Sequence, residues 1–143
     1  MKNDMSQYVR RVQRGELPPP PITTTLGGRI LSLEADGSRL NCEYVGVERF
    51  LNPAGQLQGG ILSAMLDDVT AWLVTATLDE HEHCATLNLN TSFLRPAGIG
   101  PLRANATLVR RRKGVCNVNG ELWQADKLVA TAVAVCMVVR ARG

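Results

Sequence analysis

Two adjacent carboxylates, Asp67 and Asp68, interrupt the most apolar stretch of this chain, seven residues after a Gly59-Gly60 pair. Residues of those types at that spacing point to chemistry on a carbonyl group. A helix that starts at the glycines presents backbone N–H groups without intrahelical acceptors, together with the positive end of its dipole. Glycine leaves this backbone open to a ligand carbonyl because no Cβ stands in the way. Such a helix start can serve as an oxyanion hole, where one donor is worth roughly 3–4 kcal/mol to a tetrahedral intermediate. A nearby carboxylate can act as nucleophile or as general base on water. Asp67 is the better placed, because helical spacing sets it on one face with Gly60, Ala64 and Ala71, all small. Asp68 falls on the bulkier face with Met65 and Trp72, where a carboxylate serves as a structural partner for a strand hydroxyl or a backbone group. Close helix packing would also explain the glycines; the carboxylate downstream favours the chemical reading. At 1.5 Å per residue, Asp67 lies about 10 Å from Gly60, too far for both to hold one carbonyl within one chain.

The elements that position these groups can be read from the pattern. Between Asn52 and Leu78 the chain passes from turn formers into a run with apolar residues all round a helical wheel, which marks a helix surrounded by protein. Its two central carboxylates exclude a membrane span, since each costs roughly 2.5–3.5 kcal/mol at a bilayer centre. Upstream, residues 4–15 form an amphipathic helix with Asp4 or Ser6 as cap and Gly15 as stop. Pro18–Pro21 then makes an extended connector. Arg29–Ala35 and Arg39–Val47, joined by Asp36-Gly37-Ser38, read as a β-hairpin.

Only strands are expected after the helix. Cys84–Leu94 alternates, with Leu87, Leu89, Thr91 and Phe93 on one face and Thr86, Asn88, Asn90 and Ser92 on the other. Thr86 is a candidate to position Asp67 or a water. Leu102–Arg112, Val115–Gln124 and Leu128–Arg140 form an antiparallel meander, and the small residues of the last run suit a helix crossing it closely. The architecture is α+β, an antiparallel sheet curled around one long buried helix. Residues 1–28 form an N-terminal helix and Pro-rich connector, and residues 29–143 form the domain. One copy leaves a strand edge uncovered, so self-association through Cys84–Leu94 into at least a dimer is expected.

Composition excludes several alternatives. A net charge of +3 over 143 residues, with no pattern of stacking aromatics, does not indicate nucleic acid. The four scattered cysteines form no CxxC pair and read as reduced thiols. The N-terminal residues lack the apolar core of a signal peptide, which makes the cytoplasm the expected location. The Asp79–His83 run lacks metal-ligand spacing, and no metal is expected.

The set as a whole resembles the hotdog-fold thioesterases, within them the family related to the phenylacetate-pathway (PaaI-like) enzyme. That family's pattern is an Asn, a turn, a His-Gly-Gly, an Asp nine residues after the His, and a strand with Ser or Thr that ends in Pro-Ala. Here Asn52, Gln58-Gly59-Gly60, Asp67, Thr86 and Pro96-Ala97 stand at those places, and the likeness covers about residues 29–140. Gln58 departs from the usual His. Its amide can donate to a thioester oxygen but cannot act as acid or base, which counts against the dehydratases and hydratases of this fold. The resemblance implies an acyl-CoA thioesterase of small or medium, aliphatic or aryl, acyl groups. Coenzyme A enters only as part of the substrate, and no cofactor is implied. It implies that one subunit's carboxylate meets the other's glycine turn, in a homodimer at least, with a homotetramer expected. Arg111, Arg112 and Lys113, in a basic turn, and Arg95, before Pro96, are the candidates to hold the coenzyme A phosphates; a solvated hairpin tip is the alternative for the turn. The rival function is a non-catalytic acyl-CoA-binding sensor built on the same pocket.

Overall fold

The computed structural model describes residues 5–140. Its elements are α1 (Met5–Gln13), α2 (Pro21–Thr25), β1 (Arg29–Leu33), β2 (Arg39–Gly46), α3 (Gly59–Thr75), β3 (Glu82–Phe93), β4 (Gly100–Arg112), β5 (Val115–Gln124) and β6 (Lys127–Arg140). The strands form one antiparallel sheet in the order β1-β2-β4-β5-β6-β3, curled around α3. This is the hotdog architecture expected from the sequence. At the tip of the first hairpin, Asp36 Oδ1 accepts from the Ser38 N–H (3.0 Å) and hydroxyl (2.6 Å), which closes the turn.

The core lies between α3 and the inner rows of the strands. Leu62, Met65, Leu66, Val69, Leu73 and Val74 of the helix are buried against Leu40 and Tyr44 of β2, Leu102 and Ala106 of β4, and Val118 and Leu122 of β5. Ala130, Ala132, Ala134 and Cys136 make the buried row of β6, the small-residue strand that lets the helix come close. The approach is close at Gly120 of β5, where a Cβ would stand 3.2 Å from both Leu66 and Thr70. No helix among the described residues is long and apolar enough to cross a membrane.

Two expectations need correction. The proline run is not wholly extended: Pro20 is extended, but Pro21 opens the five-residue helix α2. Proline is tolerated in the first helical turn because its missing N–H would have no helical acceptor there. The alternation along β3 is also broken. Thr86 pairs with Cys136 but Asn88 pairs with Val135, so a β-bulge at Leu87 shifts the register. Thr86 is thereby turned to the same side as Leu89 and Thr91, toward α3, while Leu87 is left 59% exposed.

The N-terminal helix is part of the same core. Val9 is fully buried, the Met5 N–H donates to the Leu78 carbonyl (2.9 Å), and Tyr8 stacks on Trp72 with ring centroids 6.0 Å apart. Gly15, at φ +75°, follows the end of α1 as expected. Of the two candidate caps, Asp4 lies outside the described residues and Ser6 lies within the helix.

Candidate active site

Three pieces of chain build the start of α3. Asn52 folds the loop before it: its backbone N–H donates to the Gln56 carbonyl (2.7 Å), and its Oδ1 accepts from the N–H groups of Ala54 (2.9 Å) and Gln56 (3.1 Å). The Leu57 N–H then donates to the Ala97 carbonyl (2.8 Å), and the Gln58 N–H to the Phe50 carbonyl (2.9 Å). The Pro96-Ala97 pair thus holds the loop, with Ala97 buried beneath it. Gln58 is the N-cap residue, but its side chain makes no capping bond; its carbonyl accepts from Ile61 and Leu62. No acceptor among the described residues takes the N–H of Gly59 or Gly60.

The two glycines differ in what surrounds them. A Cβ on Gly59 would stand 3.2 Å from the Phe93 ring, so this position has a packing reason to be glycine. A Cβ on Gly60 would meet nothing within 4 Å. Glycine in a helix costs roughly 1 kcal/mol relative to alanine. Among the described residues, no contact requires glycine at Gly60.

Two turns further along, Asp67 is half-buried and accepts from the Thr86 hydroxyl at 2.8 Å through Oδ1. Thr86 is therefore the β3 group that orients this carboxylate, and the bulge at Leu87 is what lets it do so. One helical turn earlier, the Ser63 hydroxyl donates to Thr91 Oγ1 at 3.2 Å. Gly59, Ser63 and Asp67 consequently run along β3 against Phe93, Thr91 and Thr86 in turn.

Asp68 faces elsewhere. It accepts from the Tyr44 hydroxyl (2.7 Å) and from the Thr23 hydroxyl (2.9 Å), tying β2 and α2 to the helix. Burial pushes its carboxyl above the ordinary value, and the Tyr44 and Thr23 donors pull against that. Tyr44 is fully buried, and desolvation also raises its phenol. The structural role expected for Asp68 is what the geometry displays. The sequence did not identify its partners, since nothing local to Thr23 or Tyr44 announces a carboxylate 45 or 24 residues away.

The basic candidates lie at opposite ends of α3. Arg111 donates through Nη1 to the carbonyl (2.8 Å) and hydroxyl (2.6 Å) of Thr77, just beyond the helix C-terminus. Arg112 and Lys113 are exposed at the neighbouring hairpin tip, with Lys113 at φ +52°. Arg95 donates to the Leu128 carbonyl (2.9 Å) and lines a cleft of about 490 Å³ that reaches Gly59. The helix between these ends is 17 residues, about 25 Å at 1.5 Å per residue. No group of three His, Cys, Asp or Glu side chains among the described residues is placed to hold a metal ion.

Comparison with known proteins identifies the family and the fold. Residues 51–137 match the family described as the acyl-CoA thioesterase N-terminal domain, and the chain belongs to that family of thioester hydrolases. A crystal structure from Ralstonia eutropha, of a proposed thioesterase described as related to phenylacetic acid degradation, is 58% identical. It aligns over 91% of this chain and 98% of its own, with a TM-score of 0.87. The PaaI protein from the phenylacetic acid degradation operon of Escherichia coli shares the fold at a TM-score of 0.81 and 19% identity, over 96% of this chain and 98% of that one. A Saccharolobus solfataricus protein proposed to be an esterase is 28% identical over 115 residues, 80% of each chain.

Proposed function

We propose that the chain hydrolyses the thioester of a small or medium acyl-CoA, with Asp67 as the nucleophile or as the general base on water. The observation that carries this reading is the contrast on α3. A half-buried carboxylate is oriented by Thr86, while the glycine backbone at the helix start keeps two free N–H groups and an open Cβ direction at Gly60. Attack at the thioester carbon makes a tetrahedral oxyanion, and the Gly59 and Gly60 N–H groups supply donors for it. Collapse then expels the thiolate of coenzyme A, which takes up the proton that Asp67 removed from water and leaves the free acid; where Asp67 itself attacks, the acyl group passes to its carboxylate and water cleaves that anhydride. Gln58 contributes an amide donor near the same oxygen, and Asn52 acts through the loop that it folds.

The separation of Asp67 from the glycines makes this a site shared by two chains. A two-fold that sets two α3 helices side by side in opposite directions brings one chain's Asp67 toward the other's Gly60. It also brings the basic turn of one chain toward the Arg95 end of the other, so that Arg112 and Lys113 can hold coenzyme A phosphates there. Arg111, already bonded to Thr77, supports that turn. Pairing along the β3 edge supplies such a two-fold, since β3 terminates the sheet.

The test is a thiol-release assay over a panel of aliphatic and aryl acyl-CoAs, run beside sedimentation of the same sample. Turnover of at least one substrate by a dimer or larger assembly is expected. Tight binding of acyl-CoA with no thiol release would instead support the sensor reading, and an active monomer would remove the shared site.

A further inference from the structure

We propose that Phe93 is the side chain that sets which acyl groups this site accepts, an inference that rests on the thioesterase reading above. Phe93 is the last residue of β3, 54% exposed despite its size. Its ring lies face-on over the start of α3: from the place where a Gly59 Cβ would be, Cζ is 3.2 Å away and the two Cε atoms 3.4 and 3.6 Å. A large ring placed against a residue without a side chain has been given room that nothing else in the chain uses. Beside it lies the cleft of about 490 Å³, lined by Leu57, Leu62, Leu94 and Pro96 together with Gln56 and Arg95. Apolar side chains next to an amide and a guanidinium suit a hydrocarbon group attached to a polar one. An acyl chain on its thioester has that form.

The neighbouring contacts explain why the limit falls at Phe93 rather than elsewhere on this face. The next two steps along the helix are tied to β3 by hydrogen bonds, Ser63 to Thr91 and Thr86 to Asp67, and cannot draw away from it without breaking them. Phe93 has no such tie. Its contact with Gly59 is purely van der Waals, so its ring is the wall that a longer or broader acyl group meets first.

The experiment uses S-alkyl-CoA thioethers from ethyl to octyl, whose binding to the intact assembly is read by calorimetry without turnover. Each methylene that gains a buried place is worth about fourfold in affinity. Phe93→Ala should therefore raise the ratio of octyl to ethyl affinity at least about tenfold over the wild type, and Phe93→Trp should lower it. Phe93→Leu, which keeps an apolar contact to Gly59, gives an intermediate ratio and serves if the alanine variant does not fold. Equal effects of the substitutions on short and long thioethers would overturn the proposal, as would a wild type that binds none of them. Failure of hydrolysis alone would count against the catalytic reading and leave this measurement standing.

Discussion

Asp67 and Asp68 are neighbours in sequence, yet α3 turns them to different environments. Asp67 receives one hydroxyl, from the exposed Thr86 on the sheet's edge strand, and keeps its second oxygen without a protein donor among the described residues. Asp68 receives two, from Tyr44 and Thr23, and is enclosed by α2 and β2. The first arrangement orients a carboxylate and leaves it accessible; the second spends the carboxylate on joining elements. A step of about 100° around a helix separates a carboxylate with one hydroxyl partner from one that ties elements together.

The sharpest way to break this contrast is to remove each charge in turn. Asp67→Asn is nearly isosteric and should keep the fold while lowering turnover at least about 100-fold, the scale of a lost general base. Asp68→Asn should stay within a few-fold of wild type in the same thiol-release assay. The reverse pattern would show that the roles had been assigned to the wrong residues.

Removing the whole Asp68 side chain probes the other half. Asp68→Ala leaves the fully buried Tyr44 hydroxyl without its acceptor, which costs about 1–3 kcal/mol. Urea unfolding should show that loss, and Tyr44→Phe in the alanine background should recover part of it. Asp67→Ala, whose partner Thr86 is exposed and can turn to water, should cost much less stability.

How far the sequence foretold this division depends on the range of the interactions. The buried helix and its glycine start follow from 3.6-residue spacing, a local property, and the structure reproduces them. The role of Asp68 was legible by type, because a carboxylate on a bulky buried face needs hydroxyl or backbone partners. Its partners were not, since Thr23 lies on a helix opened by Pro21 that composition made look like plain connector. The bulge at Leu87 was also hidden. Leu87, Leu89, Thr91 and Phe93 alternate faultlessly on paper, and only the register against β6 shows that an extra residue turns Thr86 inward. Alternation alone sets Thr86 on the face away from Leu89 and Thr91, whereas in the structure it donates to Asp67.

The smallest effect expected from the comparison is its pH dependence. Burial is the main reason that the Asp68 carboxyl lies above its ordinary value; the Tyr44 and Thr23 donors lower it, and the charge of Asp67 adds a minor raising contribution. A carboxyl with a folded-state pKa above the unfolded one binds its proton more tightly in the folded protein. Its stabilising contribution is therefore complete below the unfolded value, near 3.9, and is lost as pH rises through the folded value. Glu16, hydrogen-bonded by Arg14 and Arg11, and Asp36, hydrogen-bonded by Ser38, are shifted the other way, and their contributions fade as pH falls. The total stability of the wild type mixes these opposing slopes, so the informative quantity is a difference. Asp68→Asn cannot titrate at this position but retains Glu16 and Asp36. Urea midpoints measured from about pH 3 upward should show the wild type losing ground to Asp68→Asn as pH rises. Repeating the pair in an Asp67→Asn background should make that loss slightly smaller, because the neighbouring charge is gone. A wild type that gains on Asp68→Asn with rising pH would mean that the two hydroxyls outweigh burial, and that the enclosed carboxylate is held as a stable anion.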